Sequence, residues 1–270
     1  MSKKVEPYGR SIVIVPSQDL VTQTEDDYKM VGLDVGVLYG GRKEFDKTHT
    51  ICTWQSLHCL WKKTKKGDIA LDQTDIHEFL DGVVAVIVDE AHTAKGEALK
   101  AVLGGVMGDI PLRWGMTGTI PKDEIAAMHM RCNIGNVIIK VSASELQEKG
   151  ILSGCHVNIL QLSSKLAFDS YAEELKWLVS DQRRMEYVSN LINAISQSGN
   201  TLILVDRLAA GHAIVESLGL SPDRFVSGST AKKKRKAEYD SVAGQDNGIW
   251  IATYGVAAVG LNIPRIFNLV

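Results

Sequence analysis

Asp89, Glu90 and His92 follow at once on an apolar run, Val83 to Val88, and this junction is where the sequence can do chemistry. One carboxylate can hold a hydrated divalent cation and the next can orient or deprotonate an attacking water, so the pair suits a magnesium–nucleotide site. The run is short, rich in β-branched residues and preceded by Gly82, the pattern of a parallel strand buried on both faces. Such a strand releases its polar residues at its carboxyl end, where open α/β sheets place their ligands. Solvated acids at a strand end would look the same, so the rest of the chain must decide.

Further on, Gly115-Met116-Thr117-Gly118-Thr119 ends a second apolar stretch in a small, hydroxyl-rich turn. Thr117 and Thr119 can hydrogen-bond the histidine or the acids of a neighbouring strand, which would let nucleotide state be sensed across strand ends. Taken alone, the turn reads as an ordinary strand-to-helix connection.

The elements that must position these residues alternate between β-branched runs and helix-period segments, the pattern of βαβ units and parallel sheets. Strands are expected at 11–15, 35–39, 50–53, 83–88 and 112–116, and a second set at 201–205, 224–226, 248–253 and 266–270. Between the sets, a helix begins with a cap near Ser142 and stops at Gly150. Tyr171 to Gln197 reads as one long amphipathic helix. The expected class is α/β, with two similar parallel-sheet domains at 1–152 and 153–270.

At 270 residues the chain can bury two proper cores, and 45% hydrophobic with 23% charged residues is an ordinary globular composition. A net charge of −2 gives no global argument for a polyanionic partner, so such a surface must be a local patch. Cys52, Cys59, Cys132 and Cys155 have no metal-ligand spacing and read as reduced thiols. There is no signal core and no apolar run approaching about 18 residues, so a cytoplasmic protein without membrane contact is expected.

Taken together, the motifs resemble a superfamily-2 helicase core of the DEAD/DEAH-like kind, and within it the phage UvsW-type branch. Asp89-Glu90-Ala91-His92 matches motif II and Thr117-Gly118-Thr119 stands at motif III. Val15-Pro16-Ser17 with Leu20 and Gln23 resembles motif Ia, Thr53-Trp54-Gln55 motif Ib, and Gly40-Gly41 the glycine pair between them. In the second half, Leu202 to Asp206 resembles motif IV, and Thr253 with Gly260 and Asn262 motif V. The resemblance runs through nearly the whole chain in the family's order.

It implies two RecA-like domains, ATP and Mg2+ as cofactors, and DNA as the favoured partner, with RNA as the alternative. Catalysis would fall to Asp89, Glu90 and His92, with Asp89 holding magnesium through water. Thr117, Thr119 and Gly260 would join the acids around the nucleotide. Pro16, Gln23, Gly41, Thr53, Gln55 and Thr253 would meet nucleic acid, Thr53 through its hydroxyl.

Two family parts are missing. No GxxxxGK followed by Ser or Thr occurs, and no QxxGRxxR follows motif V. An arginine finger alone is worth about 10³–10⁵ in rate, so the chain reads as a fragment with both domains incomplete. It is expected to work as an ATP-dependent DNA helicase or translocase within a complete protein. The alternatives are a nucleic-acid- or partner-binding module without turnover, or a related RNA helicase or restriction-type translocase.

Two basic clusters stand outside this scheme. Lys62-Lys63 and Lys65-Lys66, beside Trp61, read first as a solvated loop and second as a phosphate contact. Lys232 to Lys236 opens an expected helix, where basic residues oppose the macrodipole, so phosphate binding competes there with a solvated face.

Overall fold

The computed structural model describes residues 1–67, 75–230, 234, 237–238, 241, 244–257, 263 and 265–270. The chain divides into two compact units, Met1–His156 and Val157–Val270. Each carries a mostly parallel sheet, giving two tandem RecA-like α/β domains.

In the first unit, β1 (Arg10–Val15), β2 (Val35–Tyr39), β3 (Arg42–Lys43), β4 (His49–Thr53), β5 (Val83–Val88) and β6 (Leu112–Gly115) form one sheet. Their order is β3-β2-β4-β1-β5-β6. Only the β2–β3 pair is antiparallel. Parallel pairing sends the chain back over the sheet by helices, so the carboxyl ends of β1, β2, β4, β5 and β6 share one edge. Register confirms it: Leu38, Cys52, Ile14, Val88 and Gly115 stand in one row across the five strands. Beneath this edge Ile12, Ile14, Val86, Val88, Leu57, Phe79 and Leu103 form a closed core.

The helices leaving that edge start on side-chain caps. Ser17 accepts from Leu20 N–H at 3.2 Å at the head of the Gln18–Met30 helix. Thr53 caps the Trp54–Lys66 helix, which ends at Gly67 in the left-handed conformation, φ 69°. Lys62, Lys63, Lys65 and Lys66 therefore lie on the last turns of a helix, not in a loop. Cations are favourable there because the helix macrodipole puts partial negative charge at its carboxyl end.

In the second unit, β7 (Thr201–Val205), β8 (Phe225–Val226), β9 (Ile249–Thr253) and β10 (Asn268–Leu269) form a parallel sheet in the order β10-β7-β9-β8. Its core holds Ile192, Ile203, Ile214, Phe225 and Ile251. The long helix expected from Tyr171 to Gln197 is instead two, Tyr171–Ser180 and Gln182–Ser196. Asp181 breaks it by taking an extended conformation and accepting Arg184 N–H at 2.8 Å. Its short carboxylate satisfies the new helix start better than it continues the old helix.

Among the described residues, no helix is long and apolar enough to cross a membrane.

Candidate functional site

At the end of β5 the backbone turns sharply. Asp89 N–H still bonds Ile14 C=O at 2.9 Å, but Glu90 is left-handed, φ 48° and ψ 52°, and starts the Ala91–Lys95 3₁₀ turn. A non-glycine residue held there is strained. Asp89 Oδ1 accepts Glu90 N–H at 2.9 Å, bracing the bend.

Around this bend the acids and the threonine turn form one network. His92 Nδ1 lies 3.2 Å from Glu90 Oε2 and 2.9 Å from Thr117 Oγ1. Thr117 Oγ1 donates to Thr119 C=O at 2.9 Å and accepts Thr119 N–H at 3.2 Å. Backbone bonds fasten the two strand ends together: Met116 N–H to Val88 C=O at 2.9 Å and Ala91 N–H to Met116 C=O at 2.8 Å. Gly115 makes this approach feasible, since a Cβ there would sit 2.8 Å from the Ala91 Cβ. Glu90 and His92 are each partly exposed, so the network opens to solvent.

The remaining residues singled out in the first unit distribute along the same edge. Pro16 follows β1 and is half-buried; Gln23 is half-buried in the second turn of the Gln18–Met30 helix. Gly41 is exposed in the β2–β3 turn, where Gly40 has φ 55°, and a Cβ at Gly41 would meet nothing within 4 Å. Thr53 is buried, and its hydroxyl is turned to its own helix, accepting Ser56 N–H at 3.3 Å and meeting Ser56 Oγ at 2.9 Å. Gln55 is the exposed neighbour that faces outward. In the second unit, Thr253 ends β9 beside Val205 and is half-buried. Gly260 and Asn262 lie outside the described residues, as does most of the Lys232 to Lys236 cluster. Within it, Lys234 pairs with Asp223 at 2.5 Å.

One arrangement was not legible from the motifs. Glu25, 3% exposed, receives both Arg42 amino groups at 2.7 and 2.8 Å, and Lys29 at 2.5 Å. The Arg42 guanidinium holds the Glu25 carboxyl well below its usual range, at about 2. This clamp ties the turn bearing Gly40 and Gly41 to the Gln18–Met30 helix. The signal available was an acid on the buried face of an amphipathic helix, which requires a partner.

Magnesium bound with a nucleotide needs only one or two carboxylates, the other positions being water and phosphate oxygens. The residues present fit that demand: Asp89 uses one oxygen on Glu90 N–H, which leaves its second carboxylate oxygen for a hydrated cation. Among the described residues, no group of three or more His, Cys, Asp or Glu forms a protein-only cage.

The family described as "Type III restriction enzyme, res subunit" matches residues 2–122. Over 97% of its length the chain is 22% identical to the ATP-dependent DNA helicase uvsW of Enterobacteria phage T4, of which it covers 53%. The chain thus spans about half the length of the curated relative it matches. Among solved structures, Saccharomyces cerevisiae Dbp5 bound to RNA and ADP BeF3 is similar at a TM-score of 0.60 and 12% identity, over 97% of this chain and 61% of that one. The Mycobacterium smegmatis helicase Lhr bound to ssDNA and AMP-PNP is similar at 0.59 and 17%, over 97% and 36%. At such identities the likeness is one of fold alone.

Proposed function

We propose that this chain, built on a superfamily-2 helicase-like fold, forms the motor core of an ATP-dependent DNA helicase or translocase that remodels branched or duplex DNA. The observation that carries the reading is the Glu90–His92–Thr117 network at the shared strand edge. It joins a partly exposed carboxylate at a magnesium-suited bend to a turn on the next strand.

In this reading Asp89 orients the hydrated cation, and Glu90 orients the hydrolytic water and takes its proton. ATP with Mg2+ supplies the phosphoanhydride whose cleavage drives the cycle. His92 holds the Glu90 carboxylate by its Nδ1–H and transmits a shift of that carboxylate to the Thr117–Thr119 turn. Pro16, Gln23, Gly41 and Gln55 contact the sugar–phosphate backbone along the same edge, which gives binding without sequence preference. Thr253 and Gly260 are assigned similar roles on the second unit, Thr253 toward nucleic acid and Gly260 toward nucleotide. The preference for DNA rests on the likeness to the phage enzyme; the fold is shared with proteins bound to RNA and to single-stranded DNA.

The test is nucleic-acid-stimulated ATP hydrolysis by a protein containing this chain, with and without Glu90→Gln. The variant is expected to lose hydrolysis and keep nucleic-acid binding. Full hydrolysis by the variant removes Glu90 from the catalytic role.

A second reading is favoured by a specific observation, the lack of any GxxxxGK sequence in these 270 residues. It makes the chain a nucleic-acid- or partner-binding module without turnover of its own. Strand-stimulated hydrolysis by the 270-residue chain alone would rule it out.

A further inference from the structure

The outward stripe of the Trp54–Lys66 helix lines a shallow groove of about 380 Å³, open to solvent and walled by that helix alone, and the strand-end site does not use most of it. Trp54 and Gln55 stand at its head, His58 at its middle, and Lys62, Lys63 and Lys66 along its lower half. These positions recur at the helical spacing that keeps side chains on one face. From Trp54 to Lys66 the stripe runs about 18 Å at the helical rise.

Three properties bear on what this face can bind. Lys62, Lys63 and Lys66 share it, and no acidic side chain stands among the groove's lining residues, so their charge is not offset within the groove. Burial, and then the Lys62 charge one turn on, hold the His58 imidazole below its usual pKa. At the head of the groove Trp54 is half-buried, packed in part against the core and in part lining the groove. Helix-dipole compensation accounts for lysines in the last turn, but not for a groove that continues upward through His58 to Trp54.

We infer that this groove is a binding track for single-stranded nucleic acid, carrying the phosphate backbone away from the strand-end edge along the Trp54–Lys66 helix. The lysines are strung out along the helix rather than converging on one point, which suits a chain of phosphates better than a small anion. An open groove with an aromatic head admits an unpaired base to stack, which a duplex cannot offer. The track rests on the reading of the first unit as a nucleic-acid binder and extends it to residues outside the motifs.

The experiment measures binding of a fluorescein-labelled oligothymidylate to the full 270-residue chain across a salt series. It compares the unaltered chain, the triple variant Lys62→Ala/Lys63→Ala/Lys66→Ala, and Gln23→Ala, a residue of the proposed strand-end site that lies outside the groove. Alanine is the better helix former, so the triple variant keeps its helix. Each neutralised phosphate contributes about 0.7 to the log–log salt slope for a single strand, so the triple variant should lower the slope by about 2 and weaken binding at low salt at least tenfold. A slope unchanged in the triple variant, with Gln23→Ala weakening binding, overturns the track and leaves the strand-end reading standing. No binding by the unaltered chain overturns both.

Discussion

Thr117 Oγ1 stands 2.9 Å from His92 Nδ1 while its own proton goes to Thr119 C=O at 2.9 Å. A hydroxyl that donates to the carbonyl can only accept from the imidazole, so this geometry makes Nδ1 of His92 the donor. The same Nδ1–H is within reach of Glu90 Oε2. One proton thus ties the strained bend after β5 to the turn after β6.

This tautomer is directly measurable. Nitrogen NMR of the imidazole at neutral pH is expected to show His92 protonated at Nδ1, and Thr117→Val is expected to loosen the ring without unfolding the chain. In the complete protein, Thr117→Val should reduce nucleic-acid-stimulated hydrolysis by about tenfold or more, the scale of losing one placed hydrogen bond near a reacting group. A His92 protonated at Nε2 instead would break the proposed link.

Glu90 is held at φ 48°, where glycine is at ease and other residues are not. Replacing it with glycine should raise thermal stability relative to Glu90→Ala by about 1 kcal/mol, the usual cost of a left-handed non-glycine residue. The same variant loses the carboxylate. Equal melting temperatures for the two variants would mean that the bend carries no strain.

Thr53 caps the Trp54–Lys66 helix through its hydroxyl. Thr53→Ala should therefore cost about 1 kcal/mol of stability, whereas Thr53→Ser should cost much less, as read from denaturant midpoints. If both variants are equally stable yet bind nucleic acid less well, the hydroxyl belongs to a ligand contact rather than to the cap.

The Glu25–Arg42 clamp makes a pH prediction. The folded carboxyl titrates near 2, below its ordinary value of 4.5, so the unfolded chain takes up a proton first as acid is added. The stabilisation is complete above about pH 4.5 and drains away as the pH falls from there toward 2. Glu25→Gln should flatten this part of the stability curve, followed by urea midpoints between pH 5 and 2. An unchanged acid limb would place the acid sensitivity elsewhere.

Strand placement was legible because the β-branched runs at 10–15, 83–88 and 201–205 have the length and bounds of buried strands. The helix break at Asp181 was not, because the apolar spacing continues across it and only the cap to Arg184 N–H reveals the stop. The two-residue strand β3 was hidden for a similar reason: Arg42 and Lys43 carry no β pattern, and a clamp to Glu25 holds them in place. Thr53 shows the limit at the site, since a hydroxyl next to a strand end reads equally well as ligand contact or cap.

The sequence by itself determined the α/β class, the order of the strands along the chain and the acids that close β5, because periodicity and composition are local. Tertiary structure alone decided which of those acids takes the left-handed backbone, which nitrogen of His92 faces Thr117, and that the motif residues of the first unit leave one edge. Those facts depend on lateral register between strands far apart in the chain, and no local pattern encodes register. The lysine stripe illustrates the same division: its charge is written in the sequence, but its position on a helix face beside Trp54 follows only from the fold.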